Sequence, residues 1–496
     1  MKLLHGLTAS VTTAVLLSML PARGYTQDPT RDPAAPRPFV VRVVDEATGR
    51  GVPLVKLRLL SQQAWHTDSN GIAAIVEPWL LGQEVFLIVT SDGYALEDDA
   101  GVWDEPGTFL TVLPGAEATL RMRRINIAER LYRMTGAGIY AHSVAAGLPV
   151  PLRQPLLNGK VTGQDTGVAI AYKGLIYWFW GDTFGLADAN FNVSGATAPL
   201  PEAGGTNPDA GIDLTYFLND AGFSKALIPM KEPLVWVESL MLITDPTGAE
   251  RLVATWARVG EDLAPVERGV AVFDDTAREF RTIAQMPADR KHHSSHPVRV
   301  VEGGRAWWYL YPHRRVQDDW HAVQDPAAYE SFTCTAPGLA PSCTWRPGAP
   351  FLESPAEEQR AIAEGRLHPD AAHFALVDVE TGRSMTSGTG SIAWNEFRGR
   401  WVMIAGGFGD VFYSEADAPE GPWRCARHIV RHERYDFYNV AQRPLLDRDG
   451  GRVIYFEGTY TTGFVQGAVP TPLYDYNQIM YRLTLDDPRL RLPSGC

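Results

Sequence analysis

Four cysteines in 496 residues rule out a scaffold built from disulfides. No Cys/His spacing of the kind that holds zinc occurs either. Positive charge is also scarce: 45 Lys and Arg stand against 58 Asp and Glu, for a formal net charge of −13. A surface of that sign does not hold a polyanion, so no nucleic-acid partner is expected. Past the N-terminal leader, no stretch nears the roughly 18 consecutive apolar residues of a membrane span, so no membrane partner is expected. Several enzyme signatures are missing as well: the sialidase S-x-D-x-G-x-x-W box, the G-x-S-x-G nucleophile turn, the phosphate-binding loop and the H-E-x-x-H zinc pair. No cofactor is implied. A divalent cation at a polar central funnel is the one inorganic partner the residues leave room for.

Aromatics and glycine are plentiful, with 14 Trp, 18 Tyr and 46 Gly in a chain that is 45% hydrophobic and 21% charged. That is the balance of a globular protein, at a length that suits two or three domains. Residues 1–26 read as a secretory signal peptide. Lys2 gives the basic start, Leu7 to Leu20 the apolar run, and Pro21-Ala22-Arg23-Gly24 the small-residue exit. The expected location is secreted or periplasmic, with residues 27–38 a disordered leader. Export permits disulfides. Cys334 and Cys343 flank the Pro/Gly-rich TAPGLAPS loop and form the expected bridge; Cys425–Cys496 then follows by elimination.

Residues 39–124 alternate like short strands, broken by Asp/Thr/Gly turns, which predicts a small β-sandwich. Thr48-Gly49, Gly51-Val52-Pro53, Thr67-Asp68-Ser69-Asn70-Gly71 and Asp92-Gly93-Tyr94 resemble the marks of the transthyretin-like, carboxypeptidase-regulatory-like sandwich. That resemblance implies an accessory module. In residues 125–148, Ile127, Leu131 and Met134 have helical spacing, which predicts a linker of two short helices.

Residues 149–496 carry one pattern five times: an apolar run, a Gly-bearing turn, and a second strand rich in aromatics or aliphatics. The segments are Gln164–Thr183, Val237–Trp256, Ser295–Pro312, Thr389–Gly407 and Ala441–Tyr460. Their turns are Lys173-Gly174, Thr247-Gly248, Gly303-Gly304, Arg398-Gly399 and Gly450-Gly451, as tight hairpins require. Recurring hairpins predict an all-β chain, a five-bladed β-propeller after the sandwich. Asp410–Trp423 resembles the outer blade strands of furanosidase propellers such as glycoside hydrolase family 43. Residues that start each first strand and end each second strand gather on one face around the axis. On this alignment they include Asp165, Glu238, His296 and Gln442 at the starts, and Asp182, His313, Glu457 and Tyr460 at the ends. A funnel of carboxylates, histidines and aromatics suits a sugar, though polar residues also plug and solvate propeller axes.

Asp165 and Asp182 bracket the first hairpin. If its strands pair across Lys173-Gly174, the carboxylates lie side by side, as glycosyl transfer requires of its acid and its base or nucleophile. The alternative is two strand-end caps. The G-x-D…(W/F)-x-G-D-T pattern resembles the opening blade of the domain-of-unknown-function 4185 group, whose bacterial enzymes of glycoside hydrolase family 183 cleave D-arabinan. The resemblance is strongest over residues 161–185 and implies Asp165 and Asp182 as the catalytic pair. Glu238, at the start of blade 2, is an alternative acid. In HHSSH (His292–His296), Pro297 and the strand after it argue for a loop rather than a metal-binding helix. His293 or His296, with Tyr438, Tyr460 or Arg443, would suit a polysaccharide lyase. Tyr438, Asn439, Gln442, Arg443, Glu457, Tyr460 and Tyr474 in the last blade, with His293 and His313, supply hydroxyl-binding and stacking groups.

The expectation is a monomeric glycoside hydrolase acting on a polysaccharide or oligosaccharide. A lyase and a non-catalytic glycan-binding propeller are the alternatives.

Overall fold

The computed structural model describes residues 37–102, 104–205, 207–230, 234–288, 296–311, 313–334, 343–348, 355–373, 376–385, 390–407 and 409–496. The signal peptide, residues 27–36 of the leader and His293 lie outside these residues.

The N-terminal unit is a sandwich of two four-stranded sheets. Phe39–Asp45 is central to one, antiparallel to Ile72–Ile75 and parallel to Glu117–Arg124. Its alternating Val41 and Val43 face Leu57, Trp65, Leu87 and Val89 of the second sheet in one dry core, as period-2 patterning dictates.

Five sheets, antiparallel but for the parallel edge strand Val377–Asp378 of blade 4, then surround an axis, and the protein is an all-β, five-bladed propeller preceded by a sandwich. The innermost strands are Val168–Tyr172, Val235–Thr244, Val298–Glu302, Gly390–Asn395 and Asp436–Gln442. Each pairs with the next strand in sequence, so the hairpin turns lie at the end of the axis opposite Asp165 and His296. Lys173 and Gly174 both adopt positive φ (49° and 77°), as a two-residue hairpin matching the strand twist requires. Apolar clusters between neighbouring blades hold the ring, with Trp178 and Trp180 on one face of blade 1 and Phe179 with Trp256 on the other. Both disulfides are present. Cys334–Cys343 joins the outer hairpin of blade 3, and Cys425–Cys496 ties the chain end to blade 4. Among the described residues no helix is long and apolar enough to cross a membrane.

Two expectations are corrected. Residues 125–148 are not a pair of helices. Glu129–Arg133 is the outermost strand of blade 5, antiparallel to Asn477–Thr484, and the only helix there is Ala141–Ala146. Every residue of that strand is buried, so it shows no alternation, and Ile127, Leu131 and Met134 imitate a helical stripe. The strand closes the ring by putting the segment before the propeller into its last sheet. It also fixes the sandwich: Tyr474 Oη donates to Thr67 O (2.7 Å) and accepts from Leu54 N (3.2 Å), while Arg50 Nη1 donates to Leu131 O (2.7 Å).

The second correction concerns blade 5. Its inner strand starts at Asp436, and two 3-10 turns, Pro444–Leu446 and Asp449–Gly451, join it to Val453–Thr461. Gln442 therefore ends the inner strand, away from the funnel mouth, and Glu457 sits mid-strand. The Gly450-Gly451 signal marks the second of two turns, which displaced the alignment.

Candidate active site

The strand Val161–Gln164 pairs with Thr183–Gly185 in a small sheet at the funnel mouth. Buried Gln164 anchors it, donating from Nε2 to Ser194 Oγ (2.8 Å) and Thr183 Oγ1 (3.1 Å) and accepting from Tyr216 Oη (2.6 Å). The next residue, Asp165, donates its N–H to Asp182 O (3.2 Å) and accepts at its carbonyl from Gly181 N (3.0 Å). The first hairpin thus brings the two aspartates together at its open end.

Their environments differ. Asp165 Oδ2 accepts from Tyr438 Oη (2.8 Å), and the nearby Tyr476 hydroxyl also favours the charged carboxylate. Oδ1 is buried with no partner among the described residues. Burial first, then the Asp182 charge, pushes the Asp165 pKa up to about 7, against the pull of the two tyrosine hydroxyls. Asp182 is raised by burial alone, and the bond from Trp236 Nε1 to its Oδ1 (3.0 Å) opposes that rise. One carboxyl of a coupled pair is therefore set to keep a proton near neutral pH while its neighbour ionises.

The backbone around the pair admits little change. A Cβ at Gly181 would stand 2.6 Å from Asp165 Oδ1. Thr166 (φ 51°) and Asn439 (φ 52°) both take the left-handed conformation, which is costly for a β-branched threonine. They meet through Asn439 Nδ2 donating to Thr166 Oγ1 (2.6 Å). The irregular pairing between Tyr438 and Ala441 turns Tyr438 toward Asp165.

Deeper in the axis, the buried Arg443 guanidinium pairs with Glu457 and donates to Gly167 O (2.6 Å) and to His296 Nδ1 (3.0 Å). Burial, with Arg443 beside it, holds His296 neutral, its pKa well below the usual histidine range. Because Arg443 donates into Nδ1, the neutral ring carries its proton on Nε2.

The remaining expected site residues scatter. Glu238 lies at an irregularity in the blade 2 inner strand and is ion-paired with Arg268 of the same blade. Burial lifts its pKa to about 7 against Arg268, and its Oε2 has no partner among the described residues. His313 is not a funnel residue. It is buried where blades 3 and 4 meet, Nε2 against Glu420 O (3.1 Å) and its ring against His373 (4.6 Å). Tyr460 is core: its ring lies against Tyr435 (4.5 Å) and its hydroxyl meets Thr471 Oγ1 (3.2 Å). Tyr474 belongs to the sandwich joint described above. Gln442 donates from Nε2 to Asp447 Oδ2 (2.8 Å), below the funnel. Strand alternation and bulges decide which side of a blade each residue faces, and the segment alignment did not resolve them.

Trp236, Tyr476 and Thr166 were missed. Tyr476 sits in the YDYNQ stretch and Trp236 two residues before Glu238, but aromatic residues in strands read first as core. Among the described residues, two groups have metal-ligand geometry. Asp378, Glu380 and His428 lie at the outer edge of blade 4, with Arg427 and Arg431 on Glu380; Cys334, Cys343 and His373 include a closed disulfide. Neither group borders the funnel.

No family model matches the sequence, and no curated protein matches it, so the resemblances to the 4185 group and to the regulatory-like sandwich gain no support from that side. Solved structures overlap it weakly. One is an exo-β-1,3-galactanase from Phanerochaete chrysosporium with β-1,3-galactotriose: 9% identity, 71% of this chain and 63% of that chain, TM-score 0.37. Another is an exo-1,5-α-L-arabinanase from a bovine ruminal metagenomic library: 9% identity, 65% and 93% of the two chains, TM-score 0.33. A third is a GH43_1 enzyme from Xanthomonas citri: 12% identity, 65% and 87%, TM-score 0.31. At these scores the overlaps carry no argument about what this chain does, and the five-bladed propeller stands on its own strand order.

Proposed function

We propose that this protein is an exported glycoside hydrolase that cleaves a polysaccharide or oligosaccharide at the funnel mouth, with Asp165 as the acid and Asp182 as the ionised partner. The observation that carries this reading is the asymmetry of the pair. Asp165 has a buried, unpartnered oxygen and a pKa raised to about 7, whereas Asp182 is held by an indole N–H. Glycoside hydrolysis needs one carboxyl to protonate the leaving oxygen while the other stays charged. Tyr438, Tyr476 and Trp236 orient the two groups and line the mouth with ring faces suited to a sugar. Export fits the leader and the two disulfides.

Two bonds weigh against the lyase alternative. Arg443 occupies the one basic lone pair of neutral His296, and Arg443 is itself paired with Glu457 rather than free to neutralise a uronate. The test is release of reducing ends from a panel of plant and bacterial polysaccharides. Asp165→Asn and Asp182→Asn should each lower turnover by about two to three orders of magnitude with folding intact. Product absorbing in the ultraviolet, with activity lost in His296→Ala and retained in both Asn variants, would replace hydrolysis by elimination.

A further inference from the structure

A cleft of about 750 Å³ lies between the sandwich and the propeller, within the range of ligand sites. The sandwich contributes Lys56 and His66, directly opposite each other on paired strands. The segment after the ring-closing strand contributes His142, and blade 5 contributes Arg434. None of these four side chains donates a hydrogen bond to the protein among the described residues. His66 is depressed to about 4 by burial and then by Lys56 and His142, so the three basic groups crowd one another.

Arg133 adds an independent observation. Its side chain is 1% exposed and lines the same cleft with its guanidinium over the Tyr474 ring (5.0 Å), yet among the described residues Nε and Nη1 have no hydrogen-bond partner, only Nη2 donating to Ala137 O. Buried guanidinium donors are costly to leave unpaired. Of the two acids in the cleft, Asp68 is already taken by the backbone N–H groups of Ser143, Asn70 and Ile72. Glu433 is the second acid of the lining, and Asp92 just beyond it also faces Arg434. The walls beside these donors are apolar, with Trp65 and Tyr435 opposite a loop whose Val469 and Leu473 are 78% and 49% exposed.

Unpaired cationic donors beside flat apolar walls fit a sugar ring that bears an anion. We propose that this cleft is a second saccharide site, taking a carboxylate- or sulfate-bearing unit of the glycan cut at the funnel. The proposal rests on the glycan reading above and adds the substrate class. Continuity of the chain supports it. The connection that forms the cleft wall also carries Phe464, whose ring meets Tyr438 (5.3 Å), and Tyr476, whose hydroxyl acts on Asp165. The same loop thus borders both the funnel mouth and the basic cleft, and the proposal gives the sandwich a role in holding substrate.

The test is titration calorimetry on full-length Asp165→Asn protein, so that no ligand is consumed. The probes are a galacturonic acid oligosaccharide, a sulfated oligosaccharide, a neutral cello-oligosaccharide and inorganic sulfate. An acidic oligosaccharide should bind, more weakly as salt rises. Adding Lys56→Ala and Arg434→Ala, whose side chains donate no hydrogen bond among the described residues, should weaken binding by about tenfold or more. The first two probes distinguish carboxylate from sulfate. Equal binding of the neutral sugar, equal binding of inorganic sulfate, no binding of either acidic probe, or affinity unchanged by the Lys56/Arg434 substitutions would each overturn the proposal. Those outcomes leave the funnel reading intact, since that reading is tested separately by hydrolysis in Asp165→Asn and Asp182→Asn of the otherwise native protein.

Discussion

Replacing Asp165 by Asn should make the protein more stable at alkaline pH while it destroys activity. The Asp165 carboxyl has a folded pKa of about 7 against an ordinary value of 3.8. As pH rises past 3.8 the unfolded chain releases this proton while the folded protein retains it, so stability falls steadily until about pH 7 and then levels off. At 1.4 kcal/mol per tenfold ratio, the accumulated penalty is about 4 kcal/mol at most. Asn keeps the acceptor for Tyr438 but brings an amide to the site of the unpartnered Oδ1, so roughly half of that gain, about 2 kcal/mol, should be realised. For a propeller of roughly 350 residues this corresponds to a melting shift of about 3 °C. Calorimetric melts of wild type and Asp165→Asn from pH 4 to pH 9 should coincide at the acid end and separate toward pH 8, the variant melting higher. A variant that melts lower at pH 8, or a difference independent of pH, would show that Asp165 is a satisfied strand cap and would remove the physical basis for its role as acid.

Other consequences follow from single contacts. Gly181→Ala places a methyl group 2.6 Å from Asp165 Oδ1 at a position with no left-handed backbone, so the carboxyl must move. Activity should fall by about 10- to 100-fold with little change in melting temperature, and full activity would refute the tight placement. Removing Cys425–Cys496, which closes 71 residues, should cost about 4.5 kcal/mol, against about 2.5 kcal/mol for the 9-residue Cys334–Cys343 loop. Paired Cys→Ser variants compared by denaturant melts would test this order. Tyr474→Phe should weaken the sandwich–propeller joint by about 0.5–1.5 kcal/mol, because Thr67 O loses one of its two donors and keeps Leu54 N. Limited proteolysis near the joint would report it, and unchanged protection would count against the docking role of that hydroxyl.

Much of this was legible in the chain itself. Gly-bearing turns between apolar runs mark hairpins because positive φ is a local demand, and their recurrence implies five blades, although two 3-10 turns join the fifth pair. Asp165 and Asp182 meet because they flank one hairpin, and antiparallel register carries that proximity from sequence into space. The Cys334–Cys343 bridge is local for the same reason. What lay beyond the sequence depends on contacts between distant segments. Glu129–Arg133 takes its strand conformation from pairing with Asn477–Thr484, more than three hundred residues away, and burial on all sides erases the alternation that would have revealed it. Local irregularities in pairing reset which way Glu238 and Tyr438 face. Arg443 and Glu457 neutralise each other in the axis, and Tyr460 and Tyr474 sink into cores, because burial and charge pairing are settled by neighbours that only the closed ring assembles. The raised pKa of Asp165 has the same origin: its residue type was visible, but the dry site and the second carboxylate that keep its proton exist only in the folded protein.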